Sequence, residues 1–146
     1  MKFAEFFEGQ SLTTKVYTVG EDEIVSFAQQ YDPQWFHVSP DEAAKGPFSG
    51  LIASGWHTCG IAMRLMVDHA LHDSESFASP GLSYLKWEHP VRPGDQLHVE
   101  AEVLEVRRSE SKPDLGILRW RWEMKNQNEV TVLDLEAISL FKVPTA

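Results

Sequence analysis

A chain of 146 residues, 42% of them hydrophobic, carries enough apolar side chains for one core and too few for two, so a single domain over residues 1–146 is expected. Its net charge of −9 and sequence pI near 5.0 exclude the basic stripe that a nucleic-acid partner or an anionic membrane surface would call for. The one cysteine, Cys59, excludes an internal disulfide and a cysteine-based structural zinc site.

No window approaches the ~20 apolar residues of a membrane span. The stretch from Met1 to Glu8 carries acids and no apolar run, unlike a secretory signal. Together these lead to the expectation of a soluble, cytoplasmic protein.

After the Gly9-Gln10 break, Leu12 to Thr18 alternates weakly and is rich in Thr, Val and Tyr, which predicts a short strand. Thr18 followed by Glu21 reads as a capping box, and Ile24, Phe27 and Ala28 recur at helical spacing, giving a helix over about Glu21 to Tyr31. Pro33 forces its end at Tyr31 or Asp32. Ser39-Pro40-Asp41-Glu42 repeats the start signal for a short helix that Gly46-Pro47 must stop.

From Ser54 onward, Ile61, Ala62, Leu65, Met66 and Ala70 follow the i, i+3, i+4 rule, with Met63, Val67 and Leu71 flanking them. This predicts a helix of about four to five turns that is apolar around much of its circumference and must be covered on several sides. Ser79-Pro80-Gly81 reads as a connection, and Leu82 to His89 as a strand. Pro93 and Gly94 fit the central positions of a type II turn. Leu97 to Val103 alternates cleanly and slips near Leu104, the mark of a bulge. Ser109 to Gly116 is polar loop, and Leu118 to Met124 and Thr131 to Phe141 alternate as two further strands. A long helix followed by four strands with hairpin-like connections predicts an α+β protein whose antiparallel sheet curls around that helix. The solvated sheet edge favours pairing with a second copy.

Chemistry concentrates between Tyr31 and Gly55. Asp32 sits at a helix C-terminus, where the dipole opposes a carboxylate and would raise its pKa toward that of a useful base. Taken alone, Asp32-Pro33 is also an ordinary turn former and His37 an ordinary packed histidine. Because Pro33 breaks the helix, both side chains could fold into one cleft, where a carboxylate and an imidazole hold a water between them. Gly55 opens the long helix with an amide that has no intrahelical partner. It either admits a substrate carbonyl to that amide or serves only close packing. Ser54 lacks the G-x-S-x-G context of a hydrolase nucleophile, because Ile52 stands two residues before it. His57, His69 and His72 show no metal-ligand pattern, so no metal is expected. Trp35 and Trp56 flank the site and are expected to line a pocket.

The spacing Asp32-x-x-x-x-His37, followed by Gly50-Leu51-Ile52-Ala53-Ser54-Gly55 and Pro90-Val91-Arg92-Pro93-Gly94-Asp95, resembles the MaoC-like acyl dehydratases, close relatives of the R-specific enoyl-CoA hydratases. The resemblance runs from Thr18 to Phe141. It implies a hot-dog fold, with a sheet wrapped around a central helix, assembled as a homodimer or dimer of dimers. It further implies an acyl-CoA or acyl-carrier thioester as substrate with no cofactor, Asp32 and His37 as the pair that adds water syn to a trans-2-enoyl thioester, and the Gly55 amide as oxyanion hole. Gln34 and Trp35 stand where the hydratase signature has Asn and Pro, and Ser54 precedes Gly55 where many relatives have His. Gln34, Trp35, Ser54 and Trp56 are the expected substrate-binding residues. A hot-dog thioesterase and a non-catalytic acyl-thioester binder are the alternatives.

Overall fold

Four long antiparallel strands in the C-terminal half set the frame. In the computed structural model, which describes residues 1–145, the chain runs through a 3₁₀ turn at Phe3–Glu5, β1 (Ser11–Thr13), β2 (Tyr17–Thr18), α1 (Glu21–Tyr31), α2 (Trp35–Val38), α3 (Pro40–Ala44) and α4 (Gly55–Met66). A π-helical turn (Val67–Leu71) extends α4. The sheet strands β3 (Ser76–Trp87), β4 (Gln96–Arg108), β5 (Leu115–Lys125) and β6 (Thr131–Lys142) follow. The sheet is antiparallel in the order β1-β4-β5-β6-β3, with β2 also paired to β4.

The period-2 pattern decides which face of the sheet is covered. Leu97, Val99, Ala101 and Val103 on β4, Leu118, Trp120, Trp122 and Met124 on β5, and Leu133, Leu135, Ala137 and Phe141 on β6 are all buried. They form one core with Ile61, Ala62, Leu65 and Met66 of α4, which lies in the concave side of the sheet. Trp120 is fully buried and still satisfied, its indole N–H donating to the Ser139 hydroxyl at 3.1 Å. This is the hot-dog arrangement. The slip near Leu104 is a real register shift between Val103 and Glu105. Gly94 has φ of 88°, and the Asp95 amide donates to the Arg92 carbonyl at 3.1 Å, closing the expected type II turn.

Three expectations need correction. The strand expected over Leu12 to Thr18 is split, because at Thr14 the side-chain hydroxyl, rather than a main-chain carbonyl, accepts the Val99 amide (2.9 Å). The start of α1 is capped two residues later than the Thr18–Glu21 pattern suggested: Glu23 accepts the Gly20 amide at 2.8 Å. Ser79-Pro80-Gly81 is no connection but lies within β3, which begins at Ser76. An edge strand tolerates the proline because that N–H has no ladder partner to lose, and the register shifts around Ala78 and Gly81 absorb the irregularity.

The apolar circumference of α4 is not fully covered. Trp56, Gly60 and Met63 form an i, i+4, i+7 stripe open to solvent, beside the exposed Phe77, Leu82 and Trp87 of the edge strand β3. No helix among the described residues is long and apolar enough to cross a membrane.

Candidate active site

The Pro33 break does what the sequence requires of it. Asp32 caps the C-terminus of α1, and the chain turns at once into the short α2, which carries His37. His37 is buried, and its Nδ1 lies 2.7 Å from the Ile52 carbonyl. A carbonyl only accepts, so Nδ1 carries the proton and Nε2 is left facing Asp32 Oδ2 at 3.3 Å.

The extended segment entering α4 is held in place from two sides. The Ile52 amide donates to the Phe36 carbonyl at 3.2 Å and the Ala53 amide to the Val91 carbonyl at 2.8 Å. The Arg92 guanidinium also donates to the Phe48 carbonyl at 2.6 Å, so the Pro90–Asp95 turn braces the segment that delivers Ser54 and Gly55.

Asp32 is the hub. Its Oδ1 accepts the Gln34 side-chain amide at 2.7 Å, and its Oδ2 accepts the Ser54 hydroxyl at 2.8 Å. Burial, the largest single influence on its pKa, pushes it up. The hydrogen bonds from Gln34 and Ser54 and the His37 charge together outweigh burial and hold the carboxyl below its ordinary value. This reverses the expectation from the helix dipole: the dipole acts through partial charges, while two donors act directly on the carboxylate oxygens. Asp32 is therefore ionised throughout the neutral range. Replacing Ser54 with Ala removes one donor, so its acid-limb pKa should rise and kcat/KM should fall about tenfold at neutral pH. A pH–rate profile of that variant beside the parent reads both.

Asp32, His37 and Gly55 share a cleft of about 430 Å³ with Phe48, Thr58 and Trp87, while Glu88 and His89 stand at its exposed rim. The Gly55 amide is the first of α4 and has no intrahelical acceptor. Trp87 lies directly on Gly55: its indole N–H donates to the Gly55 carbonyl at 3.0 Å, and a Cβ at this position would fall 2.4 Å from the ring. Trp56 meets the Trp87 ring edge-on at 5.2 Å and lines both this cleft and a second, apolar groove of about 520 Å³ between α4 and β3.

The expected site residues divide accordingly. Asp32, His37, Gln34, Ser54, Gly55 and Trp56 come together, with Gln34 and Ser54 bonded to Asp32. Trp35 does not join them. Its ring covers Gly46, where a Cβ would lie 2.5 Å away, and it borders a separate shallow surface with Glu42 and Lys45. Trp87 was missed, since its strand pattern gave no hint that it would close over a glycine thirty-two positions earlier. Among the described residues, one cluster has metal-ligating atoms close together, His98, Glu100 and Glu129, far from this site in the chain. Lys125 sits 2.8 Å from Glu100 there and already neutralises it.

Comparison with known proteins gives the family. The chain is 36% identical to the uncharacterised Bacillus subtilis protein YdeM over 142 residues, covering 97% of this chain and 99% of that one. It is 30% identical over 93 residues to 3-hydroxyacyl-thioester dehydratase Z of Mycobacterium tuberculosis, covering 61% and 60% of the two chains. The solved (R)-hydratase from A. caviae involved in PHA biosynthesis superposes with a TM-score of 0.76 at 26% identity, covering 96% of this chain and 98% of that one. The model of the MaoC like domain matches residues 3–117, and the chain belongs to this MaoC-like dehydratase family.

Proposed function

We propose that the protein is a hydratase or dehydratase of acyl thioesters, working in the cytoplasm on acyl-CoA or an acyl-carrier thioester. The single observation that carries this reading is the convergence of the Asp32 carboxylate, the His37 imidazole and the free Gly55 amide on one cleft.

In the hydration direction, a water held between Asp32 and His37 gives a proton to this pair while its oxygen bonds to C3 of a trans-2-enoyl thioester. The electron pair of the double bond moves toward the thioester carbonyl, whose developing negative charge meets the Gly55 N–H at the positive end of α4. The proton is then returned to C2 and the carbonyl reforms. Water has been added across the double bond with no change of oxidation state in the protein. Dehydration is the same path reversed. An ionised Asp32 suits the first step, because it can accept the proton at neutral pH. The fixed Nδ1 proton of His37 suits it too, because it turns Nε2 toward Asp32 Oδ2 and the place of the reacting water.

The test is the loss of enoyl-thioester absorbance over a panel of trans-2-enoyl-CoAs of about four to twelve carbons. Hydration by the parent supports the reading, whereas release of free thiol without loss of the double bond would indicate a thioesterase. Saturable binding with no turnover would indicate a binder.

We also propose that the protein is a homodimer, supported by the unpaired edge of β3 and the exposed Phe77, Leu82, Trp56 and Met63 beside it. Leu82→Glu should convert the dimer to monomer at micromolar concentration in sedimentation velocity. A parent that already sediments as a monomer would refute it.

A further inference from the structure

A second polar contact joins α1 to α4 behind the cleft. Glu23, in the first turn of α1, accepts the Gly20 amide at 2.8 Å and the Tyr17 hydroxyl at 2.6 Å, and its Oε2 lies 3.7 Å from Nε2 of His57. His57 belongs to the first turn of α4. Its imidazole is buried and stacks flat on Phe27 of α1, with centroids 4.8 Å apart and planes 10° from parallel. Its Nδ1 is buried and has no hydrogen-bond partner.

A residue needed only to fill this space would be apolar, since an orphan buried nitrogen is a cost that leucine or phenylalanine avoids. What the imidazole adds is a polar nitrogen facing the Glu23 carboxylate at 3.7 Å, an electrostatic contact longer than a hydrogen bond. The two helices it joins are the two that carry the site: α1 ends in Asp32, and α4 begins with Gly55 immediately after Ser54. In the cleft itself, the only side-chain hydrogen bond between these two segments among the described residues is Ser54 to Asp32 at 2.8 Å.

We propose that His57 is a positioning residue that fixes the first turn of α4 against α1 through Glu23 and Phe27, and so sets how closely Ser54 and the Gly55 amide approach Asp32. The proposal rests on the hydratase reading for its consequence in turnover. Displacements of about an ångström far from the reacting atoms can cost orders of magnitude in rate. The groups facing His57 are Glu23 and Phe27 from α1 and, through Glu23, Tyr17 of β2, which also feels Arg64 on α4. Burial lowers the His57 pKa against the opposing effect of Glu23, so the ring stacks as the neutral form at neutral pH. Asp32 is faced by Gln34, Ser54 and His37, with Glu88 and His89 at the rim, and of these only Ser54, the N-cap of α4, is carried by that helix.

The experiment compares His57→Phe, which keeps the stack and loses the polar nitrogen, with His57→Gln, which restores a polar nitrogen near the place of Nε2. His57→Phe should lose at least about tenfold in kcat with KM within about twofold. The acid limb of its pH–rate profile should move upward as the Ser54 bond to Asp32 loosens. His57→Gln should recover to within about threefold of the parent. Parental kcat and an unmoved acid limb in His57→Phe would overturn the proposal, as would a glutamine variant no better than phenylalanine. Should His57→Phe fail to fold, Glu23→Gln reads the same bolt from the other side and should shift both quantities in the same direction, and parental values there would overturn it. A parent silent on the enoyl panel would refute the hydratase reading alone. The ¹³C titration of the Asp32 carboxyl would still decide the positioning role, with an upward shift in His57→Phe supporting it and no shift overturning it.

Discussion

Asp32→Asn should lose at least about 10²-fold in turnover, equivalent to about 3 kcal/mol of transition-state stabilisation, while the protein stays folded. Asparagine matches aspartate in shape but cannot take a proton from water. It also cannot satisfy its neighbours. Gln34 donates to one carboxylate oxygen and Ser54 to the other, so the amide end of the substituted side chain must face one of these donors. The pH dependence separates the two effects. A carboxyl held below its ordinary value contributes stability that is fully present above the unfolded-state pKa of about 3.9 and is lost as pH falls through the lowered folded-state value. Asp32→Asn should therefore lose activity at every pH, and its thermal unfolding should respond less to acid than the parent's. Initial rates on the best enoyl-CoA, with circular dichroism of both proteins from neutral to acid pH, read these outcomes. A variant that kept turnover would remove Asp32 from the chemistry.

Much of this site was legible because covalent connectivity dictated it. Pro33 had to end α1 beside Asp32, and an amphipathic run after Ser54 had to bury Ile61, Leu65 and Met66, which leaves Gly55 as the first residue of a helix aimed into the core. The alternation of β4, β5 and β6 likewise named the inner face residue by residue. What could not be read depends on which surfaces meet across the fold. Trp35 lies next to the site in sequence, yet its ring finds the flat surface of Gly46. Trp87 lies far away in sequence, yet covers Gly55. The pKa direction of Asp32 was misjudged for the same reason, because the dipole of its own helix is local and visible in the sequence, while the Ser54 hydroxyl arrives from twenty-two residues away. The extent of β3 was misread because proline and glycine punctuate interior strands but are tolerated at an edge.

That close approach of Trp87 makes Gly55→Ala the second large effect. The added methyl would lie 2.4 to 2.7 Å from the Cε2, Nε1 and Cδ2 atoms of the indole, closer than real Cβ contacts come, so either the ring or the first turn of α4 must move. If the turn moves, the amide offered to the thioester carbonyl moves with it, and a loss of about 10²-fold in kcat/KM is expected. If the ring moves, its bond to the Gly55 carbonyl breaks and its edge-on contact with Trp56 changes, which alters tryptophan fluorescence. The double variant Gly55→Ala/Trp87→Leu distinguishes these routes, because a smaller side chain at position 87 leaves room for the methyl while the backbone N–H is retained. Recovery of most of the lost activity in the double variant would assign the defect to the collision with Trp87 and leave the amide as the working group. Continued inactivity would mean that the methyl itself blocks the carbonyl's approach, which only an amide used at close range would require. Full activity in Gly55→Ala alone would remove the amide from the reaction.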